Sequence, residues 1–175
     1  VFHFAAHIEA RESVKDPIFD AKTNILGSLN VLENCRKFGV KKIIFASSGG
    51  EIYGDAEVIP TPENYKPLPI SPYGVSKLAV EKYLYSYFKM YGIGFTVLRY
   101  GNVYGPRQNP SGEAGVIAIF TNRMLRDQQC LIHGDGKQTK DYIFIDDVIL
   151  ATMAVSQKNI NGFINIARGK ETSVL

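Results

Sequence analysis

The feature of this sequence that most restricts its fold is a set of short, continuous apolar runs separated by helical patterns. Three such runs lie at Val1–Ala5, Lys42–Ala46 and Phe95–Arg99, and a weaker fourth lies at Phe163–Ile166. Continuous apolar strands, unlike strands that alternate apolar and polar residues, are typical of parallel sheets covered on both faces. The sequence therefore predicts a buried parallel sheet.

Two helical patterns carry clear start and stop signals. Asp16-Pro17 supplies an N-cap and a first-turn proline, and Ser71-Pro72 repeats that arrangement. Gly39 closes the first of these helices and Gly92 closes the second. The predicted buried stripes are Ile25, Leu26, Leu29, Leu32 and Cys35 in the first helix, and Leu78, Leu84, Tyr87, Phe88 and Tyr91 in the second.

Two further helices are predicted later in the chain. The third spans Val116 to Leu125, and the fourth is capped by Asp146 or Asp147 and carries Ile149 on its apolar side. Because strands and helices alternate, we expect an α/β fold with a doubly wound, Rossmann-like parallel sheet. Loops at 55–70 and 101–115 interrupt the alternation, and such loops bind ligands at the carboxyl ends of parallel strands.

The two ends of the chain predict a domain that is cut at both sides. Val1 opens directly on a strand, and residues 172–175 stop where another helix would begin. We expect residues 1–175 to form one partial domain, truncated at the N-terminus and in the C-terminal substrate region. Removal of the first strands would leave a long bare sheet edge, so we expect the isolated chain to fold poorly.

Composition argues against several classes of function. The 20 basic and 17 acidic residues are interspersed, so the chain lacks the dense basic stripe of a nucleic-acid surface. No apolar run approaches the roughly 18 residues of a membrane span. Cys35 and Cys130 form no C-x-x-C pair, which favours a reducing, cytoplasmic location. His3, His7 and His133 lack metal-ligand spacing, and no metal site is expected.

The strongest chemical candidates are Tyr73 and Lys77, four residues apart near the start of the second predicted helix. Residues with this spacing share a helix face. A lysine ammonium favours the phenolate form of a nearby tyrosine, which would let Tyr73 act as a general base or acid near neutral pH. Taken alone, the spacing is more typical of an exposed Tyr–Lys pair on a helix, so the catalytic interpretation depends on the surrounding motifs.

Seven motifs occur in order along the chain: Phe4–Ala6, Asn24–Asn30, Phe45–Gly50, Tyr73-x-x-x-Lys77, Arg99–Arg107, Gly112–Ile117 and Asp135–Tyr142. As a set they resemble the extended short-chain dehydrogenase/reductase family, specifically its nucleotide-sugar epimerases and dehydratases. They are most similar to the UDP-glucose 4-epimerase branch. The resemblance implies NAD as cofactor, a nucleotide sugar as substrate, and epimerisation at C4 through a transient 4-keto intermediate.

The resemblance also implies site residues. Tyr73 would deprotonate the sugar 4-hydroxyl, Lys77 would bind the nicotinamide ribose and lower the Tyr73 pKa, and Ser48 would complete the catalytic set. The implied cofactor-binding residues are Ala5, Ala6, Asn24, Ser47, Tyr73, Lys77 and Tyr100. The implied substrate-binding residues are Ser48, Gly49, Glu51, Asn102, Val116, Ile117, His133 and Lys140, drawn largely from a substrate region at about 101–145.

Individual substrate contacts follow from the same resemblance. Asn102 would hydrogen-bond the diphosphate, while Val116 and Ile117 would line the uridine pocket. His133 falls where the family often stacks an aromatic side chain on the base, although an exposed turn residue explains it equally well. Lys140 stands where an arginine commonly binds the β-phosphate, and a lysine cannot form the bidentate fork of a guanidinium.

Two further departures concern the reaction. The family usually has a serine or threonine four residues before its Tyr-Gly element, and the chain has Gly49 there, with Ser47 and Ser48 just upstream. Glu51 matches one of the two carboxylates that 4,6-dehydratases use, and decarboxylases keep such a glutamate alone. No G-x-x-G-x-x-G loop and no ribose-reading acidic residue are present, so NAD rather than NADP rests on the resemblance.

Three hypotheses remain open from the sequence. The first is a nucleotide-sugar 4-epimerase, and the second is a dehydratase or decarboxylase that uses Glu51. The third is a catalytically silent fragment or a nucleotide-binding pseudoenzyme, because the cofactor loop is missing. Homodimers are common in the family, and we expect one in the complete protein.

Overall fold

The computed structural model describes residues 1–111 and 115–175. In that part of the chain the strands are β1 (Phe2–His3), β2 (Lys42–Ser48), β3 (Gly94–Tyr100), β4 (Asn102–Tyr104), β5 (Thr139–Phe144), β6 (Gly162–Ile166) and β7 (Glu171–Ser173). A parallel sheet of order β1-β2-β3-β6 forms the centre. The predicted parallel sheet and its weaker fourth strand are confirmed.

The helices within the described residues are α1 (Ala10–Lys15), α2 (Pro17–Ala21), α3 (Gly27–Lys37), α4 (Gly49–Ile52), α5 (Pro72–Tyr91), α6 (Val116–Met124) and α7 (Ile145–Ser156). A π-helical segment, Lys22–Leu26, joins α2 to α3. The four helices predicted from sequence are all present, although the first is divided by this segment.

The central sheet is covered on both faces. On one face, Ile43, Phe45, Phe95 and Val97 of the strands form a core with side chains of α3 and α5. On the other face, Ile44 and Leu98 pack with Val155 of α7. Helices on both faces make the sheet doubly wound and Rossmann-like, as the continuous apolar strands predicted.

Helix α5 follows its sequence signals closely. Ser71 caps the N-terminus by accepting a hydrogen bond from the Gly74 amide, and Pro72 begins the first turn. Gly92 ends the helix in the left-handed conformation, at φ +69°, where a Cβ atom would be unfavourable. The buried side of the second half holds Leu84 and Tyr87, as predicted, whereas Tyr91 is half-exposed.

Three local predictions are wrong. Strand β1 lies at the edge of the described sheet, so Phe2 stays 51% exposed rather than buried. The π-helical segment shifts the inward face of the first helix onto Asn24 and Ser28, and Leu26 points outward. Asp146 and Asp147 fall in the first turn of α7, and its N-cap residue is Phe144.

A second, smaller sheet stands beside the carboxyl ends of the central strands. Strand β4 pairs with β5 in parallel, and β5 pairs with β7 in antiparallel fashion. The segment 101–115 was expected to be a loop, but β4 follows β3 after a single residue. The loop at 55–70 has no helix or strand, as expected.

The helices of the described part include none that combines the length and apolarity needed to cross a membrane.

Candidate active site

Tyr73 and Lys77 lie on the buried face of α5, one turn apart. The Lys77 ammonium nitrogen is 5.7 Å from the centre of the Tyr73 ring, so the two side chains approach each other as their spacing predicted. Both are buried, with Lys77 only 3% exposed. An exposed helical Tyr–Lys pair is therefore excluded by the tertiary structure.

The environment of Lys77 is built from α5 and β2. Its ammonium donates a hydrogen bond of 2.8 Å to the carbonyl of Ala46, and the same nitrogen lies 4.8 Å from the centre of the Phe45 ring. Burial lowers the pKa of Lys77 to about 8, although the carboxylates of Asp20 and Glu81 oppose that shift. Near neutral pH the side chain is thus a cation close to its point of deprotonation.

The pKa of Tyr73 moves in the opposite direction from the one expected. Burial raises it above the usual range for a phenol, and the negative charges of Glu51 and Asp20 raise it further. The expectation that Lys77 lowers the Tyr73 pKa is therefore wrong. The physical reason is that loss of hydration penalises the phenolate, and the charges of the Glu51 and Asp20 carboxylates add to that penalty.

Glu51 interacts with the start of the catalytic helix. Its carboxylate accepts a 2.7 Å hydrogen bond from the hydroxyl of Ser71, the N-cap residue of α5. The backbone carbonyl of Glu51 also lies against Gly74, where a Cβ atom would come within 2.7 Å of the carbonyl oxygen. Glu51 therefore helps to place the first turn of α5, next to Tyr73, whatever further role it has.

Ser47 and Ser48 end β2 but point in opposite directions, because successive strand residues alternate faces. The hydroxyl of Ser47 donates a 2.7 Å hydrogen bond to Glu81 of α5. Within the described residues the Ser48 hydroxyl has no hydrogen-bond partner, and Ser48 is half-buried. Ser48 is therefore the serine whose hydroxyl is available to a substrate, while Ser47 is committed to the protein.

Gly49 is tightly enclosed by the neighbouring strand. A Cβ atom at this position would lie 3.2 Å from the Tyr100 carbonyl oxygen and 3.4 Å from that of Arg99. The serine or threonine that the family usually has four residues before Tyr-Gly would therefore require a shift of backbone here. This observation supports Ser48, rather than position 49, as the source of a hydroxyl.

A polar network underlies the cofactor-side candidates. The Asn24 side chain pairs with the backbone of His7 in both directions, accepting from its amide and donating to its carbonyl, each at 2.9 Å. Asn24 also donates to the buried carboxylate of Asp20 at 2.8 Å. Ala5 and Ala6 immediately precede His7. The structure therefore binds Asn24 to the backbone that directly follows two other predicted cofactor residues, Ala5 and Ala6.

The end of β3 is held by a buried ion pair. Arg99 and Glu81 are 3% and 0% exposed in their side chains, with a 2.7 Å separation. Arg99 also donates to the Tyr53 hydroxyl and to the Glu63 carbonyl, and the Tyr53 hydroxyl in turn donates to Asn165. These bonds join α5, the loop at 55–70 and β6 around the carboxyl ends of the strands.

A cleft of about 600 Å³ opens beside this network. Three predicted substrate residues line it, namely Gly49, Asn102 and Lys140. Tyr73 and Lys77 are not among its lining residues. Lys77 donates to Ala46, three residues before Gly49, so the end of β2 connects the catalytic pair with the cleft, and the cleft alone does not contain both.

Asn102 and Lys140 are positioned by the pairing of β4 with β5. The side-chain amide of Asn102 donates to the Asp141 carbonyl at 3.2 Å. The carboxylate of Asp141 accepts from the backbone amides of residues 168–170, at 2.6 to 3.2 Å. This arrangement fixes the loop after β6 against the start of β5, where Lys140 is exposed to the cleft.

The remaining predicted residues are more dispersed. The Tyr100 hydroxyl shares a 3.1 Å hydrogen bond with Thr152 of α7, and the residue packs against the core on that face of the sheet. Val116 and Ile117 begin α6 and are half-buried, whereas His133 lies in an exposed turn. Residues 112–114 of the Gly112–Ile117 motif lie outside the described residues.

The sequence interpretation missed several polar residues that shape this site. Burial of Glu81 could have been suspected from its position one turn after Lys77, and that of Arg99 from its place in an apolar run. Asp20 and Asn165 carried no comparable signal, because their partners are distant in sequence. The newly found set is Asp20, Tyr53, Glu63, Ser76, Glu81, Arg99, Asp141 and Asn165.

Lys77, Ala5 and Ala6 have side chains that suit the nicotinamide and ribose portion of a dinucleotide. An ammonium group has three N–H bonds, and Lys77 uses one on Ala46, so two remain for ribose hydroxyls. Ala5 and Ala6 have small side chains that permit a close approach by a ring. The donor set therefore suits a ribose with its base.

Comparison with known proteins gives a consistent result. The model of the NAD dependent epimerase/dehydratase family matches residues 1–167. The UDP-glucose 4-epimerase of Mycolicibacterium smegmatis is 42% identical over 174 residues, covering 99% of this chain and 56% of that protein.

Two solved structures show how far the fold agrees. The Thermotoga maritima UDP-glucose 4-epimerase with UDP-glucose is 53% identical, with a TM-score of 0.97, covering 99% of this chain and 57% of that one. The Thermus thermophilus UDP-glucose 4-epimerase complex with NAD is 43% identical, with a TM-score of 0.92, covering 99% and 58%. The chain thus spans a little over half the length of the relatives it matches.

Proposed function

Because this chain belongs to the NAD dependent epimerase/dehydratase family, we propose that the full-length protein inverts the configuration at C4 of a UDP-hexose, interconverting UDP-glucose and UDP-galactose. The observation that carries this proposal is the buried Tyr73–Lys77 pair, whose lysine donates to the Ala46 carbonyl at the end of β2, directly before Ser47 and Ser48. The similarity to UDP-glucose 4-epimerases over nearly the whole chain supports the same substrate class.

The proposed chemistry assigns one task to each side chain. Tyr73 removes the proton from the sugar 4-hydroxyl, and it returns the proton after the 4-keto sugar has turned over. Ser48 hydrogen-bonds the same hydroxyl and holds it near Tyr73. Lys77 holds ribose hydroxyls and supplies positive charge to the phenolate as it forms.

NAD, when bound, would supply the hydride acceptor and donor. Positive charge beside Tyr73, from Lys77 and from a bound cofactor, would favour the phenolate against burial and the Glu51 and Asp20 carboxylates, which raise the Tyr73 pKa. Ala5, Ala6, Asn24, Lys77 and Tyr100 are the residues proposed to hold the cofactor. Ser47 contributes indirectly, through Glu81.

The substrate residues are proposed from the cleft. Gly49 and Asn102 line it, and Lys140 supplies a cation for the diphosphate. Val116 and Ile117 are proposed for the uridine pocket, with His133 beside the base. Glu51 is proposed to position the N-terminus of α5 through Ser71. It is not proposed as a free base, because its carboxylate already accepts a hydrogen bond from the Ser71 hydroxyl.

The decisive experiment compares two tyrosine variants of the full-length protein. We expect Tyr73→Phe to lower kcat for UDP-galactose formation by about 100-fold or more, because the general base is lost. NAD affinity should stay near that of the wild type. Tyr85→Phe, on an exposed part of the same helix, is the matched control and should keep wild-type kcat.

Product analysis separates epimerisation from the other reactions of the family. Formation of UDP-galactose from UDP-glucose, with no net change in NAD, supports the proposal. A 4-keto-6-deoxy product would assign the protein to the dehydratases, and carbon dioxide released from a UDP-hexuronic acid would assign it to the decarboxylases. Equal rates for Tyr73→Phe and the wild type would contradict the assigned chemistry in every case.

A homodimer is proposed for the full-length protein. Helices α3 and α5 pack together. Apolar side chains are exposed on α5 and directly before α3, namely Val75, Tyr83 and Met90 of α5 and Leu26 of the π-helical segment. Paired helices from two copies would remove this surface from water. We also propose a cytoplasmic location, supported by Cys35 and Cys130 both being free thiols.

A further inference from the structure

The carboxylate of Asp20 is fully buried at 0% exposure, between the catalytic helix and the segment that follows β1. One oxygen accepts a 2.6 Å hydrogen bond from the Ser76 hydroxyl of α5. The other accepts a 2.8 Å hydrogen bond from the side-chain amide of Asn24. One side chain of α2 therefore contacts both the residue before Lys77 and a predicted cofactor residue.

The connection continues from Asn24 to the backbone beside Ala5 and Ala6. Asn24 forms two hydrogen bonds with the backbone of His7, and these fix both the position and the orientation of that peptide. The His7 ring nitrogen Nδ1 lies 3.7 Å from the Asp20 carboxylate. A continuous path of hydrogen bonds thus runs from Ser76 through Asp20 and Asn24 to His7.

The charge of Asp20 has a second consequence. The Lys77 ammonium donates to a backbone carbonyl, and two buried carboxylates, Asp20 and Glu81, act on its charge. Glu81 is paired with Arg99. Asp20 has the larger effect on Lys77, so it is a buried negative charge that stabilises the Lys77 cation.

We propose that Asp20 is a positioning residue that holds the segment Ala5–His7, where NAD is proposed to bind, in fixed register with helix α5, which carries Tyr73 and Lys77. The proposal rests on the proposed function for the identity of the cofactor. Asp20 acts through Asn24 on one side and through Ser76 on the other, and touches neither cofactor nor substrate itself.

The charged and titratable groups around Lys77 come from four elements. They are His3 on β1, Asp20 on α2, and Tyr73 and Glu81 on α5, with Glu51 on α4 acting on Tyr73. The negative charge of Asp20 raises the pKa of Lys77 against the effect of burial. Removal of that charge should therefore lower the Lys77 pKa below about 8.

The test compares Asp20→Asn with Asp16→Asn in the full-length protein. Asp16→Asn is the same chemical change, made at the start of the same helix. Asp16 is an exposed N-cap residue, and asparagine fills that position equally well. Two quantities are measured: the NAD dissociation constant by calorimetry, and the titration of Lys77 by NMR of ¹³C-methylated lysine.

We expect Asp20→Asn to weaken NAD binding by about tenfold, since a hydrogen bond to a buried charged group is lost. The Lys77 titration should move to lower pH. Asp16→Asn should leave the NAD dissociation constant within about twofold and the titration unchanged. Wild-type values of both quantities in Asp20→Asn would overturn the proposal, as would equal effects of the two variants.

Ser76→Ala keeps the proposal testable if Asp20→Asn does not fold. This change removes the hydrogen bond between Asp20 and α5 and keeps the hydrogen bond from Asn24 to Asp20. The NAD affinity should therefore stay within about twofold of the wild type, while kcat falls by about tenfold. Unchanged kcat in an active enzyme would contradict the proposal. The NAD and Lys77 measurements require no epimerase activity, so a wild type that binds NAD but converts no UDP-glucose would reject the proposed function alone.

Discussion

Lys77 occupies an unusual position for a lysine, with its ammonium buried against a carbonyl and an aromatic ring. Its side chain is buried, and among the described residues its ammonium group donates only to Ala46, which leaves two N–H bonds for a ligand. A structural lysine would be expected to pair with a carboxylate, as Arg99 does with Glu81. A buried cation that keeps unused donors is better suited to holding a ligand.

The pKa of Lys77 leads to a direct prediction. It is lowered from 10.5 to about 8, so Lys77 should lose its proton near pH 8 in the cofactor-free protein. Between pH 8 and 10.5 the unfolded chain then binds more protons than the folded one, and the free energy of unfolding should rise with pH through that window. The measurements are NMR of methylated lysines and urea unfolding at several pH values.

Lys77→Met is the variant that checks this assignment. The methionine retains the length and the apolar contacts but cannot titrate, so the contribution of Lys77 to the rise in stability should vanish. Lys42 also has a pKa lowered by burial and should keep its own contribution in the variant. If a methylated-lysine resonance with a titration midpoint near pH 8 is still seen in Lys77→Met, another lysine titrates at that pH.

Helix α5 is the element that brings the site together. Its first turn is enclosed by α4 and by Pro69. Its buried side chains Lys77 and Glu81 contact the ends of β2 and β3, and Ser76 contacts Asp20 of α2. The second half of the helix packs with apolar side chains in the core. Apolar packing therefore holds the second half of α5 in place, and hydrogen bonds orient its first half.

The close approach at Gly74 gives a prediction for this element. In Gly74→Ala, the new Cβ atom would lie 2.7 Å from the Glu51 carbonyl oxygen and 2.9 Å from Pro69 Cβ, with backbone on one side. We expect a loss of stability of about 1–3 kcal/mol from overpacking. Thermal and urea unfolding of the full-length protein measure the change.

Gly27→Ala is the matched control for that substitution. Gly27 is also helical, and apart from its own helix backbone and chain neighbours, no atom of the described residues lies within 4 Å of a Cβ atom built there. Because alanine favours helices, the control should be more stable than the wild type by about 0.5–1 kcal/mol. Destabilisation of the same size in both variants would mean that helix propensity, and not contact with Glu51, decides the outcome at Gly74.

At the scale of the molecule, the sheet is covered unevenly. The β2–β3 centre is enclosed by helices, whereas β1 pairs on one side only and leaves Phe2, Phe4 and Ile8 about half-exposed or more. An exposed apolar edge strand is a template for association with other chains. The 175-residue chain presents this edge to solvent.

We expect the 175-residue chain, produced by itself, to associate at micromolar concentration and to melt without stabilisation by NAD. Light scattering and thermal unfolding with and without NAD provide the measurements. A Phe2→Glu/Phe4→Lys variant should associate less, because charges on an edge oppose strand pairing. A monomeric chain whose melting temperature rises with NAD would contradict this prediction.

The sequence by itself determined the class of the fold and most of its elements. Continuous apolar strands require a covered parallel sheet, and local signals such as Ser71-Pro72 and Gly92 act within a few residues, so both could be read along the chain. The order of the motifs likewise indicated the family and the pair Tyr73 and Lys77. Capping signals, apolar runs and the order of motifs can all be recognised in the sequence without knowledge of which distant residues are in contact.

Only the tertiary structure decided the electrostatics of the site. Asp20 lies 56 residues from Ser76, and Tyr53 lies 112 residues from Asn165, so no local pattern could join them. Burial reversed the expected shift of the Tyr73 pKa, and the π-helical segment turned Asn24 inward in place of Leu26. Desolvation and long-range hydrogen bonds arise only when distant segments pack, and these two effects determine what Tyr73 and Lys77 can do.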